Sequence, residues 1–135
     1  MDKVPHYLSA LTRAEELQKQ AAKVGFDWPD AAGAAEKVRE EAEELAAALA
    51  SNDDNAVDDE LGDLFFAAVN LARKRKRGSA EELLRAAARK FETRFRQVEA
   101  AVAASGKAWE EFSPAELDEF WKRAKQDAPQ GVDKQ

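Results

Sequence analysis

The chain has 135 residues, enough for one domain with one core. It holds no cysteine and a single histidine, His6, which excludes disulfide scaffolds, thiolate zinc sites, cysteine nucleophiles and most histidine-based triads. Charged residues make up 36%, 21 basic against 27 acidic, and the net charge of −6 argues against a nucleic-acid polymer or an anionic membrane as partner.

With 29 Ala, 11 Leu and no Ile, the composition favours helix over sheet. Met1–Pro5 lacks the apolar core of a signal peptide, and the longest apolar run, Leu64 to Val69, is far too short to span a bilayer. A cytoplasmic location is therefore expected. Thr12-Arg13-Ala14-Glu15 offers a capping box, and Leu8, Leu11, Leu17, Ala21 and Val24 follow helical spacing, which predicts a helix or a short turn followed by one. Gly25 to Asp30 reads as a loop anchored by Trp28. A second helix is predicted from about Ala31 to Ala50, and a third from about Asn55 to Arg77, stopped by Gly78. Ser79-Ala80-Glu81-Glu82 opens a fourth, whose Leu84, Ala88, Phe91, Phe95, Val98 and Val102 predict one buried stripe. Trp109 and Phe112 are expected to pin the chain before a last helix that starts at Ser113-Pro114. The expected architecture is all-α, an antiparallel bundle of four to five helices over residues 1–128, with a disordered tail over 129–135.

Charge is distributed unevenly along these elements. Glu36 to Asp63 holds eleven acidic and two basic residues, and Arg73 to Arg96 holds ten basic and three acidic ones. At about 100° per residue, Val38, Leu45 and Leu49 define the core face of the second helix; Glu41 falls within the apolar arc and Glu44 at its edge. The third helix is apolar over most of its circumference and is predicted to be largely buried, yet Glu60, Asp63 and Asn70 share one narrow stripe. Buried carboxylates are costly unless paired or bound to a cation. Two such i, i+3 pairs on adjacent antiparallel helices can converge into an oxygen-rich cage, which suits Mg²⁺ or Mn²⁺ better than zinc. The competing reading, a solvated acidic helix face, is weakened by Glu41 inside the apolar arc and by the second pair on the third helix. Asn70 is either a satisfied polar group in a helix interface or a substrate contact. The Arg73–Arg77 run reads as a solvated helix end, favoured there by the helix dipole.

The acids also form a recognisable pattern. Glu40-Glu41-Ala42-Glu43-Glu44 followed by Glu60-Leu61-Gly62-Asp63 reads EExxE…ExxD and resembles the MazG nucleotide pyrophosphohydrolases of the all-α NTP-pyrophosphatase superfamily. Val24-Gly25-Phe26-Asp27-Trp28-Pro29, the stretch Gly62–Arg73, Lys90-Phe91-Glu92-Thr93-Arg94-Phe95 and Phe120-Trp121-Lys122 resemble further segments of the C-terminal-type MazG domain. The similarity runs over roughly residues 5–126. Full-length members carry two such domains in tandem, and this chain holds one.

The resemblance implies cleavage of an NTP or dNTP between the α and β phosphates, giving NMP and pyrophosphate, in a nucleotide-pool housekeeping role. It implies Glu41, Glu44, Glu60 and Asp63 as Mg²⁺ ligands, with Mn²⁺ a substitute, and Glu40 as the group that orients or deprotonates the attacking water. Lys37 precedes the motif as in the family. Lys90 and Arg94 resemble triphosphate contacts, though as side chains on a helix edge they can also be ordinary snorkelling cations. Trp121 resembles a base-stacking residue, or simply packs; for Trp28 the alternative to a loop anchor is likewise base stacking. Phe66 points about 100° away from the Leu61/Phe65 face, and with the family pattern this implies a homodimer that covers that side. The alternatives are a specialist for dUTP, dCTP or a damaged nucleotide, and a non-catalytic helical interaction module. A di-iron carboxylate bundle needs Glu-x-x-His pairs, and the one histidine lies far from the acids.

Overall fold

Ser9 starts the first helix, α1 (Ala10–Ala22): its Oγ accepts from the Thr12 N–H at 3.4 Å. The cap is thus Ser9 and not Thr12, because a box at Thr12 would place Glu15 in the solvated first turn. Glu15 instead lies on the buried face of the helix. The computed structural model describes residues 1–127, so the predicted tail lies outside the described residues. Over these residues the chain is all-α, with no strand.

Asp30 caps α2 (Ala31–Ser51), accepting from the Gly33 N–H at 2.9 Å, and Asp53 caps α3 (Asp54–Arg75), accepting from the Ala56 N–H at 3.2 Å. Between them Asn52 adopts the left-handed conformation (φ 57°) that asparagine tolerates. This two-residue connection folds α2 back antiparallel against α3, and α1 packs on α3. The α3 C-terminus comes two residues before the predicted stop. Lys76 (φ 57°), not Gly78, takes the left-handed cap and donates its N–H to the Ala72 carbonyl. Ser79 Oγ accepts from the Glu82 N–H at 3.1 Å and opens α4 (Ala80–Ser105), as expected; Ser9 Oγ also bonds the Glu81 carboxylate.

The chain divides into two compact units, Met1–Leu84 and the part from Arg85 onward. In the first, small side chains line the helix contacts: Ala34 and Ala48 of α2, and Ala67 and Val69 of α3. The buried face of α2 is centred on Ala34, Glu41 and Ala48 at seven-residue spacing; Val38 and Leu45 are half-buried beside it, and Leu49 is exposed. Alanine at the seam lets the helices approach closely, and a glutamate sits in the middle of that seam. The expectation of a largely buried α3 also fails, since Leu61, Phe65 and Phe66 are exposed.

In the second unit Val98 and Val102 of α4 and Ala124 of α5 (Pro114–Asp127) form a buried cluster, with Phe112, Leu117, Phe120 and Trp121 packed on it. The predicted α4 stripe is buried only at this C-terminal end, because Leu84, Phe91 and Phe95 stay exposed. Trp109, in a 3₁₀ turn, stacks on Phe95 at 5.8 Å, and Phe112 meets Phe120 edge-on at 5.4 Å, so both residues pin the chain ahead of α5. Ser113 and Glu116 cap α5 reciprocally at 3.1 and 3.2 Å. No helix among the described residues is long and apolar enough to cross a membrane.

Candidate functional site

The antiparallel pairing of α2 and α3 sets Glu41 against Glu60 and Asp63. One carboxylate oxygen from each of the three lies within 4.8 Å of the others. Glu41 is buried at 5% exposure, Glu60 is half-buried and Asp63 is exposed, so the cluster runs from the helix seam to the surface. Glu44, the fourth predicted ligand, lies outside this trio but flanks it. Burial pushes the Glu60 carboxyl up to about 7, and the neighbouring Glu44 and Glu41 push the same way. Lys37, one turn before Glu41, places Nζ 2.9 Å from Glu41 Oε1 and 3.6 Å from Glu40 Oε2. This contact lowers the Glu41 pKa, and Glu41 in turn raises that of Lys37. Glu40 is exposed at the rim.

Two oxygens, Glu41 Oε2 and Glu60 Oε2, are buried without a hydrogen-bond partner. Orphaned anionic acceptors that converge from two helices are costly by themselves and fit a hard divalent cation, which prefers carboxylate oxygen.

Glu41, Asp63, Lys37 and Asn70 open onto one cavity of about 780 Å³, walled on other sides by Phe26, Trp28, Phe66 and Leu17. That volume suits a nucleotide-sized ligand, and the wall chemistry is mostly apolar with a few convergent polar groups. Trp28 packs over Gly33, where an added Cβ would come within 3.3 Å of its ring, so the predicted loop anchor is in place. Asn70 is a satisfied polar group that also lines the cavity. Its Oδ1 accepts from Arg73 Nε at 3.0 Å and Nη2 at 2.8 Å, and its side chain lines the cavity.

Sequence reasoning missed three cavity residues. Asp27 takes both Arg73, through a close guanidinium contact, and Lys74 at 3.1 Å, and the Arg73 hydrogen bond holds its carboxyl down at about 2. Arg73 and Lys74 are thus half-buried in ion pairs with the Gly25–Asp30 loop, and only Arg75–Arg77 form the solvated helix end that the basic run suggested. The third is Gln18 on α1, at 6% exposure. Its signal was available: Glu15 and Gln18 stand four and seven residues after Leu11, on the face that packs against α3.

The second unit carries the remaining predicted residues. Lys90 is exposed and Arg94 half-buried on α4. Trp121 on α5 lies tilted against Phe91 at 5.2 Å and packs on the Val98/Val102 cluster.

The family model for the MazG nucleotide pyrophosphohydrolase domain matches residues 31–99, the span that contains Glu40, Glu41, Glu44, Glu60 and Asp63. The chain is 42% identical over 127 residues to a nucleoside triphosphate pyrophosphohydrolase of Escherichia coli, covering 93% of this chain and 48% of that protein. It is 41% identical over 116 residues to the nucleoside triphosphate pyrophosphohydrolase/pyrophosphatase MazG of Thermotoga maritima, covering 86% and 44%. The chain spans about half the length of these relatives.

Proposed function

The chain belongs to the MazG nucleotide pyrophosphohydrolase family, and from that premise we propose that it hydrolyses nucleoside triphosphates, ribose or deoxyribose, to the monophosphate and pyrophosphate with Mg²⁺, Mn²⁺ being a substitute. The observation that carries the reading is the convergence of Glu41, Glu60 and Asp63, with two orphaned buried oxygens, at the edge of a nucleotide-sized cavity.

A divalent cation held by Glu41, Glu60 and Asp63, with Glu44 beside them, would neutralise phosphate oxygens and acidify a water. Hydrolysis joins the water oxygen to the α-phosphorus and breaks that phosphorus from the bridging oxygen, so that pyrophosphate leaves with the electron pair. Glu40, at the rim of the cluster, is the group assigned to orient the water and take its proton; Glu41, one residue on, joins α2 to the cation site. Lys37 holds Glu41 ionised and offers positive charge at the cavity edge for the phosphates. The roles of Lys90 and Arg94 on the triphosphate and of Trp121 on the base are proposed from the family resemblance alone. We extend the proposal to a cytoplasmic homodimer, for which the exposed Leu61, Phe65 and Leu49 argue.

The test is a panel of NTPs and dNTPs with Mg²⁺, with the products resolved. Monophosphate and pyrophosphate support the reading. Diphosphate and phosphate, or no turnover with any divalent cation, overturn it.

A further inference from the structure

We propose that Gln18 is a specificity-determining residue of the α1–α3 cavity, whose Oε1 accepts a hydrogen bond from an N–H donor on the edge of the nucleobase. The inference rests on the pyrophosphohydrolase reading above and deepens it. Gln18 is 6% exposed and lines the same cavity as Glu41 and Asp63. Its Nε2 donates to the Phe66 carbonyl at 3.0 Å. A backbone carbonyl can only accept, so the polarity of the amide is fixed: the nitrogen uses one N–H on α3, and the oxygen is on the opposite side of the amide. That oxygen is buried and has no hydrogen-bond partner. Packing alone would be served better by an aliphatic side chain, as at the neighbouring Leu17, because an orphaned buried acceptor is a net cost.

A second amide is fixed in the complementary sense. Asn70 Oδ1 is occupied by two nitrogens of Arg73, which can only donate, so Asn70 Nδ2 is the group left to offer hydrogens. These two amides therefore add one acceptor and one donor of set polarity to the charged groups of the cavity. A triphosphate offers only acceptors and cannot answer the Gln18 oxygen. A nucleobase edge offers both kinds of group. The ribose hydroxyls also donate, which makes them the competing source of the bond.

The experiment compares kcat/KM for the natural NTP that is turned over fastest with its donor-deleted analogue. The analogue is purine riboside triphosphate for ATP, pyrimidin-2-one riboside triphosphate for CTP, N3-methyl-UTP for UTP, and both ITP and 1-methyl-GTP for GTP. The 2′-deoxy form of the natural substrate runs alongside, on the wild type, Gln18→Leu and Gln18→Met. Wild type is expected to favour the parent base by about tenfold or more, the worth of one hydrogen bond to an otherwise unpaired buried acceptor. Both variants should bring that ratio close to one. A ratio taken within one variant does not depend on how much of it is folded, so loss of the Phe66 contact cannot mimic the result. A wild-type ratio near one, a ratio that survives in both variants, or a ratio that moves only with the 2′-deoxy substrate overturns the assignment and leaves the pyrophosphohydrolase reading standing. Absence of turnover of every triphosphate sinks both together.

Discussion

Lys37 Nζ lies 2.9 Å from Glu41 Oε1, one helical turn along α2, and this contact leaves Glu41 Oε2 buried and unpaired beside Glu60 and Asp63. One oxygen of Glu41 is thus committed to the protein and the other is available to a cation. Glu41→Gln keeps the shape but removes the anionic ligand, and Asp63→Asn does the same from α3. Each is expected to lower kcat by about a hundredfold or more, the scale seen when a charge-stabilising group is deleted from an active site. Helical CD should match the wild type. Near-normal turnover in either variant would show that the cluster is not the reacting centre.

Glu60 is the strained member of the cluster. Burial and the nearby Glu44 and Glu41 disfavour its ionised form, so without a cation the fold carries mutual repulsion at this point. Glu60→Gln should therefore raise the thermal midpoint measured in chelator. It should also abolish the rise that Mg²⁺ produces in the wild type, where saturation to a hundred times Kd adds about 2.7 kcal/mol by linkage. A variant that is less stable in chelator, or that responds to Mg²⁺ as the wild type does, contradicts a cation site built on repulsion.

Asp27 makes acid stability sensitive to the loop. The Arg73 and Lys74 contacts favour its carboxylate and set its pKa at about 2, below the ordinary 3.8. A depressed carboxyl stabilises the fold fully above its unfolded value and loses that contribution as pH falls through the folded one. Urea midpoints should drop between about pH 4 and pH 2 by the equivalent of on the order of 2 kcal/mol for this group. In Asp27→Asn that part of the drop should be missing. Parallel wild-type and variant curves over this window would mean that the ion pairs contribute nothing.

The acids of the site were legible in the sequence because a carboxylate at an apolar helical position is an anomaly that spacing alone exposes, as Glu41 shows. The centre of the α2 core face is displaced from the one its large aliphatics mark, so that Val38 and Leu45 are only half-buried and Leu49 is exposed. The actual seam is built on Ala34 and Ala48, whose short side chains decide how closely α3 approaches. Helical spacing from Leu11 does report the buried position of Gln18, but the pairings of Gln18 and Asp27 are a different matter. Their partners, the Phe66 carbonyl and the Arg73 guanidinium, lie 48 and 46 residues away, and no local periodicity reports such a pairing. Arg73 and Lys74 looked like a solvated run because a basic helix end is ordinarily solvated. Only the fold of the preceding loop brings an aspartate to them.

Phe65 is 60% exposed on α3 and, unlike Phe66, does not line the cavity. It therefore separates association from catalysis. If a second copy of the chain covers this face, Phe65→Glu should shift the wild-type dimer to a monomer in sedimentation equilibrium, with helicity retained. A wild type that is monomeric at micromolar concentration, or a variant that remains a dimer, removes Phe65 from any interface.

The end of α3 allows the last expectation to be set by backbone geometry alone. Lys76 holds φ 57° and Gly78 holds φ 137° within three residues. A side chain at positive φ costs stability that glycine avoids, offset in part by the greater freedom glycine brings to the unfolded chain. Lys76→Gly should therefore stabilise the protein by about 0.5 kcal/mol, a gain typical of glycine at a left-handed helix cap. Gly78→Ala should cost about 1 kcal/mol or more, because φ 137° is all but closed to alanine. Urea denaturation of the two variants side by side checks the opposite signs. Destabilisation by Lys76→Gly would mean that the lysine side chain contributes more at this helix end, through the exposed carbonyls of the last turn, than its backbone conformation costs.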